Sequence, residues 1–402
     1  GGSECCMLID ETSGNPRPAQ SETAAESPLV VISILNWNGW QDTLECLESV
    51  RRLDYPNYLT VVVDNGSWNG SADKIKAWAE ENLGTGHFIA DYTRETALAG
   101  GDAATEGALD REPSADRIVL IRNEENLGFT GGNNVSIHYG LRRGREANFV
   151  MLLNNDAKVA HDCLGQLVAV ARGAGAGIVS AVITLESSGE ARSRAPFESA
   201  TRALFLFLPF VTRASTDLPQ DADFMWVPSS HGGAVLISSR VLRDVFQSRA
   251  EYLNSRLFMY GDEWDLHFHA TRHGHKAALA VRAFAYHKGA GSSTGNILRV
   301  CYYRERNRIL SANQVLPFHL SALYHALNIP RLALRIAKWT AQGDLPMAKT
   351  ILSGQVDGYR GVGGKWKHHD EPHPFGHVGQ QPSRRSAPEA GRRKSRGTEP
   401  HA

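Results

Sequence analysis

Four short, nearly continuous apolar runs constrain this chain most: Leu29–Leu35 (LVVISIL), Leu59–Val63 (LTVVV), Arg117–Ile121 (RIVLI) and Phe149–Leu153 (FVMLL). Runs of this length without polar alternation read as strands buried on both faces. Between them the spacing turns helical, with Leu44, Leu47 and Val50 in Asp42–Leu53, then Ile75, Trp78, Ala79 and Leu83, then a stretch from about Asn133 to Arg142. Strands alternating with helices predict an α/β fold whose mostly parallel sheet is covered on both faces.

The stretch Gly84–Asp116 interrupts the rhythm and reads as an inserted surface loop, rich in Gly and Ala. After about Gly295 the pattern is helical, over Tyr302–Val315, His319–Trp339 and Met347–Leu352. The expected organisation is a disordered arm at 1–28, a main domain at 29–295, a helical extension at 296–365 and a disordered basic tail at 366–402. Around Pro330–Trp339 the helix is basic and amphipathic, which suits either packing on the main domain or lying at a membrane surface. The longest apolar run, Ala203–Val211, is too short to span a bilayer, which takes about 20 residues.

In an open parallel sheet, ligands bind beyond the carboxyl ends of the strands. Each apolar run here ends in a polar tip: Asn36-Trp37-Asn38-Gly39, Asp64-Asn65-Gly66-Ser67, Asn123 to Gly128, and Asn154-Asn155-Asp156. Single tips of this kind are ordinary turn chemistry; four in register point to a ligand-binding rim. No G-x-G-x-x-G or G-K-[ST] loop follows the first strand, which argues against a dinucleotide dehydrogenase and a P-loop NTPase. Asp64 is suited to accept from a pyrimidine imide N–H. Gly131, Gly132, Asn133 and Asn134 offer backbone N–H groups at a helix start. Asp156, with His287 as a second ligand, suits Mg²⁺ or Mn²⁺ beside a diphosphate. The cluster Asp262-Glu263-Trp264-Asp265 is either a general base for an attacking hydroxyl or a set of acids favoured by a helix dipole. His267, His269, His273 and His275 lack the H-E-x-x-H spacing and any Cys partner for zinc. Arg304, Arg306, Asn307 and Arg308 form either a solvated face or a phosphate grip.

Lys+Arg and Asp+Glu are equal at 43 each, which leaves no global field for nucleic acid. Five scattered cysteines, an odd count, suit a reducing compartment better than a disulfide framework. The expected location is cytoplasmic, with peripheral contact on the inner face of the membrane as a further expectation.

Together these motifs resemble family 2 glycosyltransferases of the GT-A, Rossmann-like fold, and the rhamnosyltransferase-like branch in particular. The similar segments are Val61–Ser71 (VVVDNGSWNGS), Asn126–Asn134 (NLGFTGGNN), Leu152–Asp156 (LLNND), His231–Ile237 (HGGAVLI), Phe258–Leu266 (FMYGDEWDL), His287–Ser292 (HKGAGS) and Arg306-Asn307. The resemblance spans roughly residues 29 to 365. It implies donor contacts from Asn36, Asn38, Asp64, Asn65, Asn126, Gly128, Gly131, Gly132, Asn133 and Asn155. It further implies acceptor-side roles for Gly232, Gly233 and Trp264, a phosphate contact from Arg306, and a metal held by Asp156 and His287. Asn154 stands where the D-x-D motif has its first acid. The acidic pair reads Asp262-Glu263 rather than Glu-Asp; alignment puts the base on Glu263, leaving Asp262 as its rival and Asp265 as the third acid. The implied reaction is inverting transfer of a sugar, rhamnose among the candidates, from a nucleotide-diphosphate sugar to a saccharide or lipid-linked saccharide in cell-surface polysaccharide synthesis. A sugar nucleotidyltransferase would want a Gly-rich basic loop after the first strand, and a non-catalytic glycan-binding protein would not need the acids.

Overall fold

The structure is a computed structural model that describes residues 27–83, 88–185, 196–198, 212–214, 218–219, 221–227, 232–288 and 297–367. The arm up to residue 26, the run 203–211, His231, the segment 289–292 and the tail from 368 lie outside the described residues. The elements below belong to one unit, Gly1–Trp366.

All four apolar runs are strands: β1 (Val30–Asn36), β2 (Tyr58–Asn65), β4 (Arg117–Asn123) and β5 (Phe149–Asn154). They are joined through α1 (Trp40–Val50), α2 (Ser71–Asn82) and α5 (Gly128–Arg142). After β5 come β6 (Ala157–Val159), α6 (Cys163–Gly173), β7 (Ile178–Leu185), β8 (Pro196–Glu198), β9 (Thr212–Ala214), β10 (Phe224–Val227), β11 (Ala234–Ser238), α7 (Ser239–Arg249), α8 (Asp262–Arg272) and β12 (Ala277–His287). With β3 (Phe88–Thr93), the ten-stranded sheet runs β10-β12-β7-β11-β5-β1-β2-β4-β3, and β6 pairs with β12. From β5 to β3 every pairing is parallel, whereas β11 runs antiparallel between β5 and β7. The chain winds outward from β1 through β2 to the edge strand β3, steps back to β4 between them, then crosses to β5 on the other side of β1. The strand order therefore reverses between β1 and β5, where a doubly wound sheet opens a crevice.

Period-two alternation sorts each strand between two cores. Val30, Ile32 and Ile34 of β1 join Cys46, Leu47 and Val50 of α1 and Leu164 and Leu167 of α6. Val31, with Leu59, Val61 and Val63 of β2, faces Val135, Ile137 and Tyr139 of α5 and Val241 and Leu242 of α7. Each such side chain, fully buried, stabilises the fold by about 1.5–3 kcal/mol relative to exposure.

The expected loop at 84–116 is corrected. It carries β3, α3 (Arg94–Leu98), α4 (Ala103–Leu109) and a 3₁₀ turn. No apolar run marks it because polar groups anchor it. Buried Glu106 accepts from the Tyr92 hydroxyl at 2.9 Å, the Tyr139 hydroxyl at 2.7 Å and Arg143 Nε at 2.8 Å.

The C-terminal helices are α9 (Ile297–Val315), α10 (Phe318–Ala341) and α11 (Leu345–Tyr359). Gly354 and Gly358 let α11 lie close on α9, since a Cβ at either would stand 2.7 Å from α9 atoms.

Candidate active site

The crevice between β1 and β5 is spanned by Asn155, whose Nδ2 donates to Gly39 O at 3.3 Å and Thr43 Oγ1 at 3.2 Å. Asp156 follows it. Antiparallel pairing of β6 with β12 sets His287 opposite Ala157, and the Lys288 N–H donates to Asp156 O at 3.1 Å. Residues 131 positions apart in sequence thus become neighbours: His287 Nε2 lies 3.0 Å from Asp156 Oδ1 and 3.2 Å from Asn154 Nδ2.

The acidic cluster reaches the same place through β11. The Asn154 N–H donates to Gly233 O at 3.0 Å. Beside Gly233, a Cβ on Gly232 would lie 2.6 Å from Glu263 Oε1. Glycine at 232 therefore makes room for the Glu263 carboxylate. A short path of contacts leads from Glu263 through Gly232, Gly233, Asn154 and His287 to Asp156. Trp264 follows Glu263 in the first turn of α8.

The three acids of α8 have different surroundings. Asp265 is a correction to the catalytic set: it is buried, ion-paired to Arg249, and accepts from Asn254 Nδ2 at 3.1 Å. Asp262 is 4% exposed, and burial, then the adjacent Glu263 charge, then Asp265, push its carboxyl well above the usual range. Glu263 is half-buried. Of these two acids, Glu263 is the more accessible and is the one that lies against Gly232.

Arg306 is likewise corrected. Its guanidinium is buried, donating to Asn307 Oδ1 at 3.0 Å and to the carbonyls of Gly364 at 2.6 Å, Arg256 at 3.1 Å and Leu257 at 2.9 Å. Fork geometry that suits a phosphate serves backbone oxygens here. Asn307 Nδ2 donates to Leu257 O, Met259 O and Tyr260 O at 3.0, 2.8 and 2.7 Å. Phe258 and Tyr260 have φ of 63° and 65°, and Gly261 has 90°. The loop before Asp262 thus holds costly left-handed residues in place by clamping their carbonyls.

Several residues expected to contact the donor bond to one another across the rim. Buried Asn36 donates to Asp64 Oδ1 at 2.6 Å and Ser67 Oγ at 3.2 Å, and accepts from Thr43 Oγ1 at 3.0 Å. Asn65 donates to Asn126 Oδ1 and Gly128 O, both at 3.1 Å, and accepts from Asn123 Nδ2 and Leu127 N, also at 3.1 Å. Asn133 joins Ser33 Oγ and Phe129 O. Gly128 has φ +76°, and a Cβ there would meet Phe258 O at 2.4 Å; one on Gly132 would meet Leu35 Cδ1 at 2.4 Å. Gly131 lies against Leu127, 2.8 Å from a notional Cβ. The Asn126–Asn134 segment therefore joins the rim to the acid-bearing loop, which its spacing alone does not reveal. Asp64 also has internal partners, taking the Ser67 N–H at 3.1 Å, yet a carboxylate oxygen can accept more than one bond.

Three rim residues escaped the sequence reading. Trp37 and Trp68 meet edge to face at 5.3 Å, and Arg299 stacks over Trp37 at 5.0 Å. Asn38, at φ 58°, links the loops by taking the Trp68 N–H on its Oδ1 at 3.1 Å. Tryptophan directly after one strand and three residues beyond the next was the available signal.

Residues 100–306 match the family described as glycosyltransferase like family 2. The chain belongs to the family 2 glycosyltransferases. One relative is the low-salt glycan biosynthesis hexosyltransferase Agl10 of Haloferax volcanii. It is 26% identical over 217 residues, a match covering 53% of this chain and 66% of the relative, just under two thirds of its length. Among solved structures, this glycosyltransferase is similar to the mannosyltransferase PcManGT of Pyrobaculum calidifontis in complex with GDP-Man and Mn²⁺. There the identity is 14%, the TM-score 0.49, and the coverage 88% of this chain and 91% of that one. It is also similar to S. aureus TarS 1–349 in complex with UDP-GlcNAc, with 12% identity, a TM-score of 0.47, and coverage of 84% and 82%.

Proposed function

We propose that this glycosyltransferase transfers a sugar from a nucleotide-diphosphate donor to a hydroxyl of a saccharide or lipid-linked saccharide, with inversion, and that Glu263 is its base. The acceptor oxygen attacks the anomeric carbon and its proton passes to Glu263. The bond from that carbon to the diphosphate oxygen breaks, and its electron pair leaves with the nucleoside diphosphate. One displacement with one base inverts the centre, by analogy with inverting glycosidases. In this reading Asp64, Trp37 and Trp68 would hold the nucleobase, and Gly232, Gly233 and Trp264 would border the acceptor.

The residues at the rim suit a divalent cation. Among the described residues no group of three or more His, Cys, Asp and Glu gathers as a metal site. Asp156 and His287 alone would hold an ion, leaving its other positions to diphosphate oxygens and water, as Mg²⁺ or Mn²⁺ prefer. Such an ion supplies neutralisation of the leaving diphosphate.

The contact path from Glu263 to the Asp156–His287 pair carries this reading. The test is Glu263→Gln. Transfer should fall roughly 10²–10⁴-fold, the scale of a lost general base, while donor affinity measured by calorimetry stays the same. Normal turnover by Glu263→Gln would remove Glu263 from the reaction. Thermal shift against nucleotide sugars, dTDP-rhamnose included, tests the donor; a ligand of the folded state raises apparent stability with its affinity.

A further inference from the structure

Helix α10 has its polarity reversed. Tyr324 and Asn328 are buried, and Arg331 and Arg335 turn inward to the buried Glu305 of α9, with Arg331 Nη2 3.0 Å from Glu305 Oε1. The outward side carries Phe318 at 90% exposure, Leu334 at 73% and Ile329 at 67%, with Leu323 and Leu327 half exposed. On the neighbouring α11, Leu345 and Leu352 are also about half exposed. A helix on the surface of a water-soluble domain shows the opposite arrangement, and a contiguous apolar face of this kind marks an interaction site.

Charge selects the occupant. Phe318–Ala341 contains no Asp or Glu. Along α10 and α11 the exposed Lys and Arg side chains are Lys338 and Lys349, and no acid is exposed beside them. Lys338 lies 5.6 Å from the ring of Trp339, a pairing of cation and amphipathic ring that suits a headgroup boundary. A second copy docked face to face would set lysines against lysines with no acid to answer them. A membrane with anionic headgroups answers both the leucines and the lysines. None of the described helices is long and apolar enough to cross a membrane.

We propose that the outward face of α10, extended by α11, lies flat on a lipid surface bearing anionic headgroups. Arg306 and Asn307 of α9 grip the acid-bearing loop while Glu305 of the same helix grips α10, so α9 joins the lipid-facing helix to that loop. The proposal stands apart from the transferase reading, for it concerns where the chain sits and not what it catalyses.

Flotation of the full chain with vesicles of phosphatidylglycerol and phosphatidylcholine, against vesicles of phosphatidylcholine alone, tests it. The chain should float with the anionic vesicles and largely remain behind with the neutral ones. Leu327→Glu with Leu334→Glu should weaken binding roughly tenfold or more, since two exposed leucines lose their apolar contact. Lys338→Glu should weaken it by several-fold, with the difference narrowing in high salt. Three results would overturn the proposal: no flotation of the chain, unchanged flotation of the double leucine variant, or a concentration-dependent dimer that this variant abolishes. Unchanged flotation would assign binding to another part of the chain. Donor hydrolysis measured on the same samples reports separately on the active site, and should be unaffected in the leucine variant.

Discussion

At the rim of the sheet, polar side chains crown apolar strands, and most of them bond to one another. On α10, polar side chains turn inward to a neighbouring helix and leucines face outward. Inspection of residue type alone would name the rim asparagines and the α10 arginines as functional in both places. Their partners decide otherwise. Asn36, Asn65, Asn133 and Arg306 have internal partners, as do Arg331 and Arg335. The functional proposals rest on other groups: Asp156 beside His287, Glu263 fitted against Gly232, and the outward leucines of α10. The difference between the regions is that the rim's groups suit a charged, soluble ligand and those of α10 an apolar surface.

If this division holds, removing an acid at the rim should cost catalysis and removing one beneath α10 should cost stability. Asp156→Ala should lower transfer by roughly 10²–10³-fold, the several kcal/mol that a Lewis acid contributes, and weaken the response to added Mn²⁺. Its melting temperature should fall by less than for a fully buried ion pair, because the two side chains keep 18% and 11% exposure. A large thermal loss with modest kinetic loss would instead make Asp156 structural. Conversely, Glu305→Gln should destabilise the fold by about 3 kcal/mol, since it leaves Arg331, Arg335 and Arg308 facing a neutral partner. Denaturant midpoints check this, and turnover per folded molecule should be preserved.

Between these extremes lies Asn307, which belongs to the helical layer but grips the loop of the active site. Asn307→Ala removes one donor from the carbonyls of Met259 and Tyr260, about 1–3 kcal/mol for a buried group, while Leu257 O keeps Arg306. The left-handed turn before Asp262 should relax, and a shift near 1 Å at Glu263 costs on the order of 10²-fold in rate. A fall in kcat with donor KM unchanged, partly restored by Asn307→Gln, would identify positioning. Equal loss in every substitution, following the fraction folded, would reduce Asn307 to a stability residue.

The sequence showed the sheet clearly because its strands are buried on both faces, and burial of that kind leaves unbroken runs such as LVVISIL. It pointed to Asp156 and His287 as candidates because they stand at strand ends, and to Asp262 and Glu263 as acids at a helix start. It concealed β3, whose anchor is the polar set around Glu106, and it concealed the partners of Asn65, Asn133 and Arg306. Hydrogen-bond partners far apart in the chain have no period, so no spacing rule finds them. The reversal of α10 was only half visible: the amphipathic spacing around Pro330–Trp339 was plain, but not which side Glu305 would claim.

The smallest effect sharpens the distinction within one turn of α8. Burial, with the Glu263 and Asp265 charges, raises the carboxyl of Asp262 in the folded chain. The folded state therefore binds its proton more tightly than the unfolded state does. The resulting stabilisation is fully present below the unfolded value, about 3.9, and is lost as pH rises through the folded value. Asp262→Asn keeps the shape and cannot ionise. Its melting temperature relative to the parent should therefore rise between pH 5 and pH 8, and its transfer rate should stay within about tenfold of the parent. A constant thermal difference across that range would mean that Asp262 gains or loses its proton equally well in both states. Together with a collapse in rate, that result would move the base from Glu263 to Asp262, and the buried acid rather than the half-buried one would face the acceptor.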